Sequence, residues 1–315
     1  MTGRARREMF MKRLIILNPK SRAGNARAAF QEMEPELREK LGEFDLHETS
    51  GPMDASAKVR SALKSGGYAQ IIVAGGDGSI NEAVNGYFEE GKLLSDTVPL
   101  GVISLGTGSD FIKTLRQVSA VYDVALQKNT FKLVDLGLVR TEKDRRYFIN
   151  IASAGIAGKI MQSLKSSRFQ HGSPAYYFHT VKSLFLYNPE IVKLSYEDGQ
   201  GELHSRELRL LNFFACNGRF NGGGMNWAPT ADLQDGLFNG LVVGDVSKTR
   251  MVMASSRVYS GHIDGFPGST QFQARKMTLE SKKKIQGEAD GELYGSEGPA
   301  RVDYEILPSC FPLVL

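Results

Sequence analysis

Cysteine is nearly absent: Cys216 and Cys310 are the only two. Two lone thiols build neither a disulfide framework nor a zinc spacing, which predicts a reducing, cytoplasmic setting. Long apolar runs are missing as well. No stretch approaches the ~18 residues of a spanning helix. The apolar run behind the basic N-terminus (Arg4, Arg6, Arg7) covers only Leu14 to Leu17, too short for a signal peptide. Charge of one sign is scarce: 39 Lys and Arg face 35 Asp and Glu, a net charge of +4. That balance favours anionic partners weakly and argues against a nucleic-acid surface. The five histidines, His47, His171, His179, His204 and His262, show no metal-ligand spacing. No H-E-x-x-H, G-x-S-x-G or Walker A lysine loop occurs, which excludes zincins, α/β-hydrolases and ordinary P-loop NTPases.

Glycine, in contrast, is abundant, at 34 of 315 residues, and predicts tight turns and close backbone approaches. The 41% apolar and 23% charged composition belongs to a folded protein. At 315 residues the chain exceeds what one core usually holds, so two domains are expected.

The first 135 residues alternate between apolar strands and helical stretches. Strands are expected at Arg13 to Leu17, Phe44 to Glu48, Gln70 to Ala74 and Leu100 to Leu105. Helices are expected at Ala26 to Leu41, where Pro35 should kink or split the run, at Asp54 to Leu63, at Ser79 to Phe88 and from Asp110. Strand, loop and helix repeated in this way mean a parallel sheet with helices on its faces. After Asp135 strands dominate: Leu136 to Arg140, Tyr147 to Ala152, Ile191 to Tyr196, Leu208 to Cys216, Leu237 to Val243 and Thr270 to Gln273. Helices are expected at Pro174 to Leu186 and Lys248 to Tyr259. The change of pattern predicts an α/β domain over 1–135 and an antiparallel, sandwich-like domain from about residue 136.

Three loops carry chemistry. Ile71-Ile72-Val73-Ala74 runs into Gly75-Gly76-Asp77-Gly78 and at once into a helix. Glycines admit a ligand close to the backbone, and the amides and dipole of a helix start favour phosphate. Asp77 among such amides implies a bridging cation, or else a plain helix cap. Leu105-Gly106-Thr107-Gly108-Ser109-Asp110 repeats that context, and so does Asn18-Pro19-Lys20-Ser21-Arg22-Ala23-Gly24, where Lys20 adds a mobile cation. In a parallel sheet all three loops fall at the carboxyl ends of strands, where ligands bind.

Taken in order, these motifs resemble the diacylglycerol kinase catalytic-domain family, which includes soluble bacterial lipid kinases and the sphingosine and ceramide kinases. The resemblance continues through Asn217-Gly218, Gly222-Gly223-Gly224-Met225, Ala228 to Leu237 and Ala289-Asp290-Gly291-Glu292, so it spans roughly residues 13 to 312. It implies an N-terminal Rossmann-like α/β domain, a C-terminal antiparallel β-sandwich over 136–303, a final segment (304–315) returning to the first domain, and an active cleft between the two. ATP is then expected against Asn18, Lys20, Ser21, Thr49, Gly75, Gly76, Asp77, Gly78, Ser79, Asn81, Glu82, Gly106 and Thr107. Asp77, Asp110 and Asp135 are expected to form a carboxylate network with Lys20. Asp290 is implied as general base, and its replacement by alanine should abolish transfer with the fold intact. A structural Mg²⁺ is implied at the Asp235 carboxylate and the main-chain oxygens of Asp232 and Leu237. Ser109 stands where many members carry Asn, and Arg22 where a glycine often stands.

The implied reaction is ATP- and Mg²⁺-dependent phosphorylation of a hydroxyl of diacylglycerol or a related lipid. Transient membrane contact and a homodimer remain open. Two alternatives are an NAD kinase-like enzyme with a soluble acceptor, and a non-catalytic nucleotide or lipid sensor. The aromatic stretch Tyr176, Tyr177, Phe178, Phe185, Leu186 and Tyr187, with Lys182, is either core or a membrane-facing surface. Lys282-Lys283-Lys284 reads as a solvated face or an anion contact, and Trp227 as a packing residue.

Overall fold

The computed structural model describes residues 12–106, 109–166, 183–184, 186–244, 246–294 and 301–315. The chain divides into two units, Met1–Val134 with Cys310–Leu315, and Asp135–Ser309.

The first unit contains β1 (Lys12–Leu17), α1 (Ala26–Leu41), β2 (Phe44–Glu48), α2 (Asp54–Ser65), β3 (Tyr68–Gly75), α3 (Asp77–Gly86), β4 (Leu100–Ser104), α4 (Asp110–Val118) and α5 (Tyr122–Lys128). β1 pairs parallel with β2 and β3, and β3 with β4. Leu14 to Leu17 and Ile71 to Ala74 are buried throughout. Strands covered on both faces read as unbroken apolar runs, which is why they stand out in the sequence. β1 leads out to β2 on one side, and the chain returns to β3 on the other. That reversal is the topological switch point of an open α/β sheet. Pro35 does not split α1, which runs unbroken for 16 residues. Pro35 and Gln31 are both exposed, where a missing helix hydrogen bond costs least.

The second unit continues with β5 (Phe131–Arg140, which begins in the first unit), β6 (Arg145–Phe148), β7 (Ile151–Gly155), α6 (Ile156–Ser166), β8 (Glu190–Glu197), β9 (Leu203–Cys216), β10 (Phe238–Gly244), α7 (Lys248–Tyr259), β11 (Ser269–Ala274), β12 (Lys276–Ser281), β13 (Gly287–Ala289), β14 (Glu292–Tyr294) and β15 (Arg301–Val314). Its pairings are antiparallel. The first half of β9 pairs with β8, and the second half lies between β7 and β10. Side chains alternate between two cores there. Phe213, Ala215, Ala152 and Val242 join the cluster around Phe238 and Tyr304, while Phe214, Cys216, Ile151 and Leu241 join the cluster that includes α6 and α7 residues. The expected α/β domain followed by an antiparallel sandwich is borne out.

Two expectations change. The single strand over Tyr147 to Ala152 is two strands, broken at Ile149 and Asn150. β15 is one strand of 14 residues: Glu305 pairs with Lys276 of β12, and Leu313 pairs parallel with Leu100 of β4. The division therefore falls at Cys310 instead of residue 304. The helix expected over Pro174 to Leu186 lies largely outside the described residues. Among the described residues no helix is long and apolar enough to cross a membrane.

Candidate functional site

In the first unit the loops after β1, β3 and β4 converge. Asn18 Nδ2 donates to Ser79 Oγ at 2.9 Å, while Asn18 Oδ1 accepts from the Lys20 amide at 3.0 Å. One side chain thus shapes its own loop and ties it to the start of α3. The Leu105 amide donates to Gly75 O at 3.0 Å. A Cβ on Gly106 would lie 2.7 Å from Gly76 Cα, and one on Gly75 would lie 2.8 Å from Ser79 Oγ. These glycines are spacing requirements between loops. The Thr49 amide reaches Leu17 O at 2.9 Å and brings the end of β2 to the same edge. Gly76 and Gly78 are half-buried beside the buried Ser79 and Asn81, Glu82 follows half-buried, Ser21 is half-buried, and Lys20 is exposed. Thr107 lies outside the described residues.

Asp77 caps α4. Its carboxylate accepts the Asp110 amide at 3.1 Å and the Phe111 amide at 3.0 Å. Burial, and then the charge of Asp110, raise Asp77 above the ordinary carboxylate value, against the pull of those amides. Asp110 is buried and ion-paired to Lys113 at 3.0 Å. Asp77 and Asp110 thus join the second and third loops through the start of α4.

Asp135 belongs with a different set. Its oxygens accept the Ser309 amide at 2.7 Å and the Gly236 amide at 2.6 Å, and its own amide donates to Leu233 O at 2.7 Å. It is therefore built into the Asp232 to Leu237 loop of the second unit. Within that loop Asp235 Oδ1 accepts the Leu237 amide at 2.9 Å, and Asp232 Oδ1 the Gln234 amide at 3.0 Å. Burial first, and then neighbouring carboxylates, push both Asp135 and Asp235 above the usual range.

Asp290 sits at the tip of the β13–β14 hairpin with φ at 50°, a left-handed conformation that aspartate tolerates. It is buried, and its carboxylate accepts the Ile149 amide at 2.9 Å, the Asn150 amide at 3.0 Å and the Ile151 amide at 3.1 Å. Ile149 and Asn150 form the break between β6 and β7, and Ile151 opens β7. The expectation that alanine at 290 would leave the fold intact is therefore corrected: it would orphan three buried N–H groups, each costing about 1–3 kcal/mol. Asn150 Nδ2 also donates to Phe220 O at 2.7 Å. This links the Asp290 cradle to the loop of Gly222, Gly223 and Gly224, whose φ values of 68°, 86° and 107° require glycine.

A cavity of about 720 Å³ lies elsewhere in this unit, with Leu186, Val192, Leu210 and Ile285 in its walls and Lys159 and Lys284 beside them. Lys283 pairs with Glu190 at 3.0 Å. Trp227 stacks on Phe214 at 4.5 Å, a packing role. Asp198, Glu202 and His204 approach within 4.8 Å of one another. Asp198 is already committed there, to the Gln200 and Glu202 amides and to His204 Nε2 at 2.8 Å, and it closes the β8–β9 turn.

Residues 12–139 match the diacylglycerol kinase catalytic domain, and residues 150–315 match the YegS C-terminal NAD kinase beta sandwich-like domain. A diacylglycerol kinase of Staphylococcus carnosus (strain TM300) is 30% identical over 297 residues, which covers 91% of this chain and 90% of that protein. The chain belongs to the diacylglycerol kinase catalytic-domain family. A second member, from Bacillus subtilis (strain 168), is 28% identical over 90% of this chain and 91% of its own length. A crystal structure of a diacylglycerol kinase from Bacillus anthracis str. Sterne has a TM-score of 0.65 at 21% identity and covers 97% of each chain. At that identity the likeness concerns the fold.

Family resemblance pointed to Mg²⁺, and the Asp232 to Leu237 loop can be tested for it on its own chemistry. Its donors are hard carboxylate and carbonyl oxygens. None of Asp135, Asp232 and Asp235 forms an ion pair with a described residue. Carboxylate and carbonyl oxygens gathered without a cationic side chain suit a divalent cation. The residues fit the ion. One site residue escaped the sequence reading, the buried Glu288. Its only trace is its place two residues before Asp290.

Proposed function

We propose that this member of the family is a lipid kinase that moves the γ-phosphoryl group of ATP to a hydroxyl of diacylglycerol or a related amphiphile, with Mg²⁺ bound. The observation that carries the reading is the junction of three glycine-bearing loops at the carboxyl edge of a parallel sheet, held by Asn18 Nδ2 to Ser79 Oγ at 2.9 Å. The amides of Gly76 to Ser79 open α3 and offer their hydrogens to phosphate, with the helix dipole behind them. Gly106 and Gly75 keep the backbone clear of side chains, Asn81, Glu82, Ser21 and Thr49 border the nucleotide, and Lys20 neutralises phosphate charge. Thr107 completes this set. Asp77 and Asp110 fix the third loop against the second.

Asp290 takes the hydroxyl proton as the lipid oxygen attacks. The three amides hold the carboxylate in place, and a carboxylate held so is a suitable general base for a hydroxyl proton. Phosphoryl transfer asks mainly for such positioning. Bound at Asp235 and the main-chain oxygens of Asp232 and Leu237, Mg²⁺ would supply positive charge that pins this acidic loop. The cavity near Leu186 sets Leu186, Val192, Leu210 and Ile285 among lysines and other polar residues, a mixed lining that suits an amphiphile, and reaching such an acceptor brings the protein to a membrane surface.

The test is labelled ATP offered with diacylglycerol, monoacylglycerol, ceramide and sphingosine in vesicles, beside NAD. A labelled lipid is the expected product. Labelled NAD would put a soluble-acceptor kinase in its place, and ATP binding without any product would leave a sensor.

A further inference from the structure

β13 carries a carboxylate that the reaction above leaves unused. Glu288 is 2% exposed. Its Oε1 accepts from Ser153 Oγ and from Asn221 Nδ2 (3.3 Å), and its Oε2 accepts the Gly291 amide at 2.8 Å. Ser153 is its register partner on β7. Asn221 leads into the run Gly222 to Gly224, and Gly291 is the second residue of the Asp290 turn. One buried side chain therefore ties a strand, the glycine loop and the acceptor turn together.

The titratable groups that face it are Asp290 in the turn, Cys216 on β9, Tyr294 on β14 and Tyr304 on β15. None of them carries positive charge, and among the described residues Glu288 has no ion pair. Protonation need not undo the ties. A neutral Glu288 can donate to Ser153 Oγ while Oε2 keeps the Gly291 amide. What changes is charge: ionised Glu288 places a second negative charge near Asp290 and makes Asp290 a stronger proton acceptor, whereas neutral Glu288 withdraws that help.

We propose that Glu288 is a positioning residue that holds the Asp290 turn, and that its ionisation sets the acid limb of the kinase pH profile. The inference rests on the reading of Asp290 as proton acceptor. Burial holds Glu288 up at about 7, so the limb falls near neutrality instead of in the ordinary carboxylate range.

The experiment is the pH dependence of kcat at saturating ATP, on vesicles containing diacylglycerol, for the full chain, Glu288→Gln and Ser153→Ala. The unaltered protein should lose kcat as pH falls through neutrality and level off near the value of Glu288→Gln. Glu288→Gln should show a lower kcat with no limb near neutrality and an unchanged KM for ATP. Ser153→Ala removes a bond that favours the ionised form, so its limb should move to higher pH; it also serves if Glu288→Gln fails to fold. A limb unmoved in both variants overturns the proposal and leaves Glu288 a purely structural tie. Phosphate transfer to no lipid at all would instead remove the Asp290 reading, and the present inference with it.

Discussion

Asp290 is part of the scaffold, and we propose that it is also the proton acceptor. The amides of Ile149, Asn150 and Ile151 converge on it, and they end one strand before the next begins. Asp290→Ala should lower phosphate transfer by about three orders of magnitude or more, and should also lower the urea midpoint, because the three amides lose their acceptor. Parallel activity and urea titrations check both halves; full stability with no activity would reduce the residue to chemistry alone. Glu288 predicts a pH effect on stability. The folded state holds its proton up to about 7, against an ordinary value of 4.5. The folded form therefore binds more protons than the unfolded chain between those values, and stability falls as pH rises through them, by about 3 kcal/mol in all. Melting temperatures of the unaltered protein should decline across that window, and Glu288→Gln should flatten the decline.

Loops, at the next scale up, carry the proposed nucleotide site. Gly106→Ala would press a Cβ to 2.7 Å from Gly76 Cα, and backbone cannot step aside as a side chain can. The KM for ATP should rise about tenfold or more, with the lipid KM unchanged; equal KM values would separate these loops from the nucleotide. Leu186, 71% exposed beside the cavity, gives the opposite test. Leu186→Asp should raise the apparent lipid KM several-fold and leave the ATP KM alone, as vesicle assays would report.

The elements of the first unit were legible because β1, β3 and β4 are buried on both faces and end in glycine. Ser79 to Phe88 was read two residues late at its start, since the Ile80 amide reaches back to Gly76 O at 3.1 Å. The second unit was read less well. Nothing local in Tyr147 to Ala152 signals a break whose cause, Asp290, lies about 140 residues on. Asp77 gave phosphate chemistry and capping equal standing, and only the meeting with the Asp110 and Phe111 amides displays the cap. β12 escapes the sequence because Lys276–Ser281 alternates Met277 and Leu279 with polar residues over too short a span, and β15 is expected only through the family resemblance because Pro308 and Pro312 mask it.

At the scale of the whole molecule, Asp135 joins Asp232 and Asp235 at one loop of the second unit. If Mg²⁺ sits there, EDTA should lower the melting temperature of the unaltered protein, and Asp235→Ala should melt at that lower temperature with or without EDTA. Identical melting of the unaltered protein in both conditions would discard the ion. β15 carries a consequence of another kind. Leu313 completes the first unit's sheet at Leu100, and the Phe311 ring meets Tyr87 edge-on at 4.9 Å. The first unit, though encoded first, is thus one strand short on the ribosome until residue 314 has been translated. An isolated 1–134 fragment should need a peptide of residues 310–315 added in trans before it gains its full resistance to proteolysis.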